Sequence, residues 1–267
     1  PRSTPGDRAM PSEEITIFLC GDVMTGRGID HVLPHPCDPK LYEPSIQSAA
    51  DYVALAERAH GRIPKPVDLA YVWGDALAEF ARRRPDIRII NLETAVTRRG
   101  RPVAKGINYR MSPENARCLT VAGIDACVLA NNHVLDWGRR GLLDSLDTLH
   151  GLGLTTVGAG RSTADAGAPA IIDVPGKGRV VVLAYGVMDS GIPPDWAAGP
   201  GRQGVNWLAD LSDHVIERVG AQVERVRRRG DIVILSLHWG GNWGHAISAE
   251  QIRFAHALVV TDIDAAD

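Results

Sequence analysis

Short apolar runs punctuate the chain at Ile15–Gly21, Ile87–Asn91, Ile124–Leu129, Val180–Tyr185 and Ile232–Leu237. Each is brief and ends in polar residues or glycine, the pattern of a strand buried on both faces. Thr155–Val157 reads as a further short strand. Between the runs, apolar residues recur at helical spacing over Ile46–His60, Trp73–Arg84, Arg139–Leu152 and Leu211–Arg228. Two further helices are announced by their first residues. Ser112 and Pro113 open Pro113–Ala122 as N-cap and first turn, and Ser248 with Gln251 forms a capping box at the head of Ser248–Val259. His31–Pro44, Thr94–Met111 and Met188–Gln203 lack periodicity and read as loops, the last long enough to be functional or mobile. Strands and helices alternate, which predicts an α/β fold of right-handed βαβ units with helices covering the sheet. No internal repeat is present.

The polar residues just past the strands change the picture, because ligands of α/β sheets bind beyond the carboxyl ends of the strands. Asp22 ends the first run, Glu93 follows the second, Asn131-Asn132-His133 the third, and His238 the last. Carboxylate, amide oxygen and imidazole form a hard-to-borderline donor set, suited to Mn, Fe, Zn or Mg. In such a set Asp22 and Glu93 supply negative charge for one or two divalent ions and His238 completes a shell. His133, beside a ligand, can move a proton. Each residue also has an ordinary reading. Asp22 suits a turn before Val-Met-Thr-Gly, Glu93 an ion pair with Arg98 or Arg110, the Asn-Asn-His run a capped turn, and His238 a satisfied, partly buried histidine. Their joint occurrence at successive strand ends favours the site.

Composition narrows the class. The chain has 267 residues and a formal charge of −3, too near neutrality to argue for nucleic acid or a membrane surface. The basic run Arg225–Arg229 reads as the solvated end of a helix. Cys20, Cys37, Cys118 and Cys127 are scattered without a CxxC pair. That makes a zinc knuckle improbable and favours a reducing compartment. Cys20 and Cys127 fall in apolar strands and read as buried thiols. Residues 1–14 are polar and lack the apolar stretch of a signal peptide, so they read as a disordered leader with Met10 as a possible start. The domain spans 15–260, and 261–267 read as a disordered tail. With no apolar span long enough for a bilayer, cytoplasm is the default location.

Five motifs occur in order: GDVMTGRG at Gly21–Gly28, NLETAVT at Asn91–Thr97, LANNHVLDWG at Leu129–Gly138, TVGAGR at Thr156–Arg161 and HWGGNWG at His238–Gly244. Together they resemble the CapA family of capsule and poly-γ-glutamate biosynthesis, itself similar to the calcineurin-like metallophosphatases. The resemblance implies a sandwich of β-sheets flanked by helices and, in a full-length relative, a two-metal centre. It implies Asp22, Glu93, Asn132 and His238 as metal ligands, His133 as the catalytic histidine and Asp136 as the residue that orients it. Met24 stands where the phosphatases carry a ligand histidine, and Glu93 where they carry a bridging aspartate. Arg27, Lys105, Asn108, Arg110 and His245 become candidates for an anionic substrate, an acidic polymer or peptide. The family pattern continues past the last helix into a Gly-His-x-x-His segment, and this sequence instead runs through Asp262, Asp264 and Asp267. The expectation is therefore a C-terminally truncated, incomplete shell that holds metal loosely. The activity implied is metal-dependent hydrolysis. The alternatives are a metal-dependent peptide Cα-epimerase, as in some relatives, and a non-catalytic remnant or binding subunit.

Overall fold

The structure, a computed structural model, describes residues 14–260. The leader proposed at 1–14 and the tail at 261–267 lie outside the described residues, apart from Glu14.

The chain opens with β1 (Ile17–Val23), followed by helices α1 (Gly28–Val32), α2 (Ala49–His60) and α3 (Ala76–Arg83) and then β2 (Ile87–Leu92). Next come the short strands β3 (Ala95–Val96) and β4 (Arg110–Met111), α4 (Arg117–Val121), β5 (Ala126–Val128), α5 (Gly138–Gly151) and β6 (Thr155–Val157). β1, β2, β5 and β6 form the first sheet in the order β1-β2-β5-β6, all parallel. Their apolar side chains need burial on both faces, and parallel sheets provide it.

The second half contributes β7 (Ala159–Gly160), α6 (Thr163–Ala166), β8 (Ala170–Val174), β9 (Gly178–Val187), β10 (Gly204–Val205), β11 (Trp207–Leu208), α7 (Asp213–Val226), β12 (Ile232–His238) and α8 (Ala249–Val260). β9 is the spine of the second sheet. β12 runs parallel along one side of it, and β8 (antiparallel) and β11 (parallel) share the other. Alternation along β9 divides the core. Val180, Val182 and Ala184 join the cluster that contains Ile89, Val128 and Val157 of the first sheet. Val181, Leu183, Tyr185 and Val187 turn the other way, onto Val215, Val219 and Val223 of α7 and Phe254 and Leu258 of α8. The result is the expected α/β sandwich of two sheets flanked by helices.

The departures from the sequence reading have local causes. Thr94–Met111 is not one polar loop, because Ala95 and Val96 pair in parallel with Arg110 and Met111 under deep burial. Pro113–Ala122 is not one helix. Ser112 Oγ accepts from Asn115 N at 3.1 Å and opens a tight turn, and regular helix begins only at Arg117. The capping box at Ser248 forms as expected, with Gln251 N donating to Ser248 Oγ at 3.1 Å and Ser248 N to Gln251 Oε1 at 3.2 Å. Met188–Gln203 is a packed segment of two 3-10 turns with Ile192 and Trp196 buried. Cys20 is exposed rather than buried, because β1 is an edge strand; Cys37, Cys118 and Cys127 are buried.

β1 and β12, the edge strands of their sheets, flank a cleft of about 280 Å³. Leu19, Ile89, Val128, Val182 and Ile234 supply its apolar wall, and Asp22, Asn91 and His238 stand where the strands end. Among the described residues no helix is long and apolar enough to cross a membrane.

Candidate functional site

The residues marked by their place after strands converge. The register of β1 against β2 slips between Cys20 and Asp22, a bulge at Gly21 that re-aims the next side chain. Asp22 Oδ1 then accepts from Asn91 Nδ2 at 2.7 Å and lies 4.0 Å from His238 Nδ1, and Asn91 Nδ2 is 3.5 Å from the same imidazole nitrogen. Asn91 is held in turn by Asn131, whose Nδ2 donates to Asn91 Oδ1 and to the Leu92 carbonyl, both at 3.0 Å. Asn131 Oδ1 accepts from His133 N at 3.1 Å, closing the turn that presents His133.

His133 Nδ1 pairs with Asp136 Oδ2 at 2.6 Å and its Nε2 faces Glu93 Oε1 at 3.6 Å. Asp136 is fully buried and also accepts from Tyr109 N at 2.6 Å and Lys105 Nζ at 2.8 Å. That arrangement fixes the ring and favours the tautomer with hydrogen on Nδ1, leaving Nε2 to exchange a proton on the Glu93 side. The Tyr109 ring stacks on His133 with centroids 3.8 Å apart. Burial pushes the His133 and His238 imidazoles below their usual range, against the pull of Asp136 on the first and Asp22 on the second.

Glu93 and Asp22 divide their protons unequally. Burial, with Asp22 beside it, raises the Glu93 carboxyl to about 8. Burial also pushes Asp22 upward, but hydrogen bonds from Glu93 and Asn91 and the two imidazoles outweigh it and leave it below the ordinary carboxylate range. At neutral pH the pair therefore shares a proton.

Two further facts bear on a metal. Asn132 Oδ1 is buried with no hydrogen-bond partner, and the Asn132 carbonyl accepts from Lys105 Nζ. A buried amide oxygen without a donor costs free energy unless something else binds it. Against that, among the described residues no three His, Cys, Asp or Glu side chains form a group that could hold a metal ion. The donors fit a divalent cation in kind, and their spacing leaves the shell open.

With that geometry established, the chain was compared with known proteins. It matches the family described as Bacterial capsule synthesis protein PGA_cap over residues 16–266. The chain belongs to this capsule synthesis family. It is 44% identical over 252 residues to a probable polyglutamine synthesis accessory protein of Mycobacterium tuberculosis, covering 94% of this chain and 66% of that protein. It is 26% identical over 255 residues to the capsule biosynthesis protein CapA of Bacillus anthracis, across 95% of this chain and 53% of the relative. The PGA biosynthesis protein CapA of Bacillus subtilis is 23% identical over 258 residues, 57% of its length. The chain thus spans roughly half to two thirds of the capsule-family relatives it matches.

Within this capsule-family fold, Asp22, Glu93, His133, Asp136 and His238 come together, with Asn132 beside them. The anion-binding candidates divide: Arg27, Asn108 and Arg110 line one small cavity, and Lys105 and His245 do not. Lys105 is committed to Asp136 and the Asn132 carbonyl. Asn108 is 3% exposed and donates to the Val103 and Asp136 carbonyls, so it braces the loop from within. Arg110 lies over Trp137, its guanidinium carbon 3.8 Å from the ring centre, and donates to the Asp38 carbonyl. His245 sits on the exposed stretch after His238. Neither Arg98 nor Arg110 pairs with Glu93; Arg98 pairs with Glu114. Asn91 and Tyr109 complete the site without having been singled out, and Asn131, marked with Asn132 and His133 at the strand end, acts by bracing Asn91. Asn91 carried a signal, a polar residue inside a run that is otherwise apolar; Tyr109 carried none.

Proposed function

We propose that this capsule-family chain carries the hydrolytic centre of a metal-dependent enzyme acting on an anionic substrate of capsule polymer synthesis. The reading is supported above all by the meeting of Asp22, Glu93, His133 and His238 around Asn91, beside the unpartnered Asn132 oxygen. Asp22, Glu93, Asn132 and His238 would hold the divalent ion, and when bound it supplies Lewis acidity and an activated water. The open spacing of these donors argues for weak binding by the chain as it stands.

The chain's own groups do the rest. His133 Nε2 faces the carboxylate pair and takes or returns a proton there, with Asp136 holding Nδ1 and stabilising the charged ring. The depressed imidazole keeps Nε2 free near neutrality, so His133 serves first as a base. Lys105 neutralises Asp136 and ties it to the Asn132 backbone, so that acid–base and ligand residues move together.

The test is hydrolysis of bis(p-nitrophenyl) phosphate and of a γ-linked glutamate oligomer by the purified chain with Mn²⁺, Zn²⁺, Fe²⁺ or Mg²⁺. Metal-dependent turnover that disappears in His133→Ala supports the reading. Metal binding with no turnover on either substrate by any of the four ions sinks it in favour of a binding role.

A further inference from the structure

Arg27 has an unusual backbone for a residue with a side chain, φ 53° and ψ −129°. Among the described residues the other non-glycine at positive φ is Arg84, in the ordinary left-handed position after a helix. Arg27 lies outside that well. Residues held there are strained and persist where the surroundings over-determine them, often at sites of function. The neighbours show how the position is held. A Cβ on Gly26 would meet the Arg110 backbone at 3.0 Å, and one on Gly28 would press on Tyr52 and Val53 at 3.3 Å. Glycine fits closely on both sides, and a side chain is kept in the middle.

That side chain is aimed with care. Its guanidinium carbon lies 4.8 Å from the Tyr52 ring centre and 4.7 Å from that of Tyr109. Nε donates to Glu43 Oε1 at 2.6 Å, and Glu43, 7% exposed, is fixed by Tyr52 OH on its other oxygen at 2.6 Å. The Tyr109 ring thus touches both His133, on which it stacks, and the Arg27 guanidinium, which also lies over Tyr52. One edge is spent on Glu43, and among the described residues the two terminal nitrogens make no hydrogen bond.

Arg27 also lines a cavity of about 20 Å³, the room of one water or one oxygen atom, together with Lys40, Arg110, His31 and Asn108. His31 Nδ1 and Asn108 Oδ1 are buried in its wall without partners. Asp30 belongs to the wall too, but its oxygens are taken by Cys37 N, Ser112 N and the Asn115 amide. Asp38 adds a second carboxylate, which accepts from Lys40 N. Three cations, Arg27, Lys40 and Arg110, therefore stand against three carboxylates, Asp30, Asp38 and the Glu43 paired with Arg27, and Asp30 is already saturated by backbone and amide donors.

We propose that Arg27 is the substrate's anion clamp. Its two terminal nitrogens grip a carboxylate or phosphate group end-on, one oxygen seated in the cavity toward Lys40 and Arg110, while the bond to be cut lies one aromatic ring away at His133. This rests on the hydrolase reading and adds what the substrate must carry: a second oxyanion besides the reacting group. A guanidinium suits such a fork-shaped partner better than an ammonium.

The experiment is calorimetric titration of the chelator-treated chain with inorganic phosphate and, separately, with L-glutamate, at low and moderate salt. It needs neither metal nor turnover, so it fails or succeeds independently of the hydrolase reading. Saturable binding of at least one anion is expected, weakened about tenfold or more in Arg27→Lys and in Arg27→Gln, and more mildly in Arg110→Gln. Arg82→Gln, on the exposed Glu79 pair of α3 and outside the cavity lining, should bind as the unaltered protein does. The stronger ligand tells phosphate from carboxylate chemistry. If neither anion saturates, or if Arg27→Lys and Arg110→Gln both bind with unaltered affinity, the clamp is overturned. Should Arg27→Gln fail to fold, Arg27→Lys and Arg110→Gln decide the matter, because both keep a long side chain in place.

Discussion

His238 Nδ1 stands 4.0 Å from Asp22 Oδ1, although the two residues end edge strands of different sheets. The contact depends on the bulge at Gly21 and on Asn91, whose amide reaches toward both. Asp22→Ala and His238→Ala should each weaken Mn²⁺ or Zn²⁺ binding at least tenfold by calorimetry, leaving the far-ultraviolet circular dichroism unchanged. Unaltered affinity in both variants would remove the two residues from any metal shell.

Asn132→Ala and His133→Ala should separate. The first deletes the unpartnered oxygen and should lower metal affinity; the second should spare metal and lower turnover by a factor of about 100 or more. An equal loss of metal in both would take His133 out of the proton-transfer role.

The pH dependence of stability has a diagnostic window. Glu93, raised to about 8 from 4.5, binds a proton in the folded state that the unfolded chain has released, so its contribution is lost as pH rises through 8. The lowered imidazoles of His133 and His238 act the other way, but their effect ends near 6.5, and that of Asp22 lies below 3.8. Between about pH 6.5 and 8 the metal-free protein should therefore lose stability, by up to about 1.4 kcal/mol per pH unit. Glu93→Gln should flatten that stretch, and a divalent ion should restore the melting temperature at pH 8. A flat profile in the unaltered protein would show that Glu93 ionises normally.

How much of this was legible follows from where each residue's signal lies. The strand ends could be read because a buried parallel strand is a continuous apolar run, and the residue that breaks it is conspicuous. The antiparallel strand Ala170–Val174 also carries a signal, a Pro-Gly-Lys-Gly turn before the next run, but its half-exposed pattern is weaker. Cys20 misleads, since an apolar neighbourhood in sequence does not tell an edge strand from a central one. Asn108 and Arg110 looked like free polar residues on a loop, and only the tertiary fold shows one braced inside and the other laid on Trp137. The Arg27 backbone, decided by Arg110 and Tyr52 from distant segments, leaves no local mark beyond its two glycines.

Asp136→Ala should cost about 3 kcal/mol in urea unfolding, the order expected when one member of a buried charged pair is removed. It strips partners from Lys105, Tyr109 N and His133 together. A loss below about 1 kcal/mol would mean that water takes over those hydrogen bonds.

The thiols give a simple check on the edge assignment. Cys20 should react with Ellman's reagent in the native protein, while Cys37, Cys118 and Cys127, buried and raised to about 12, should react only on unfolding. Four equally slow thiols would place β1 inside the protein.

The two sheets meet through side chains alone at the mouth of the 280 Å³ cleft, with Asp22 on one lip and His238 on the other. Each lip is an edge strand, paired on one side only, so the width of the gap is set by the packing of the two sheets rather than by rotamers at the residues themselves. Whatever both lips grasp acts as a clasp on the whole molecule, and stiffening the core far from the strand ends would tune its grip.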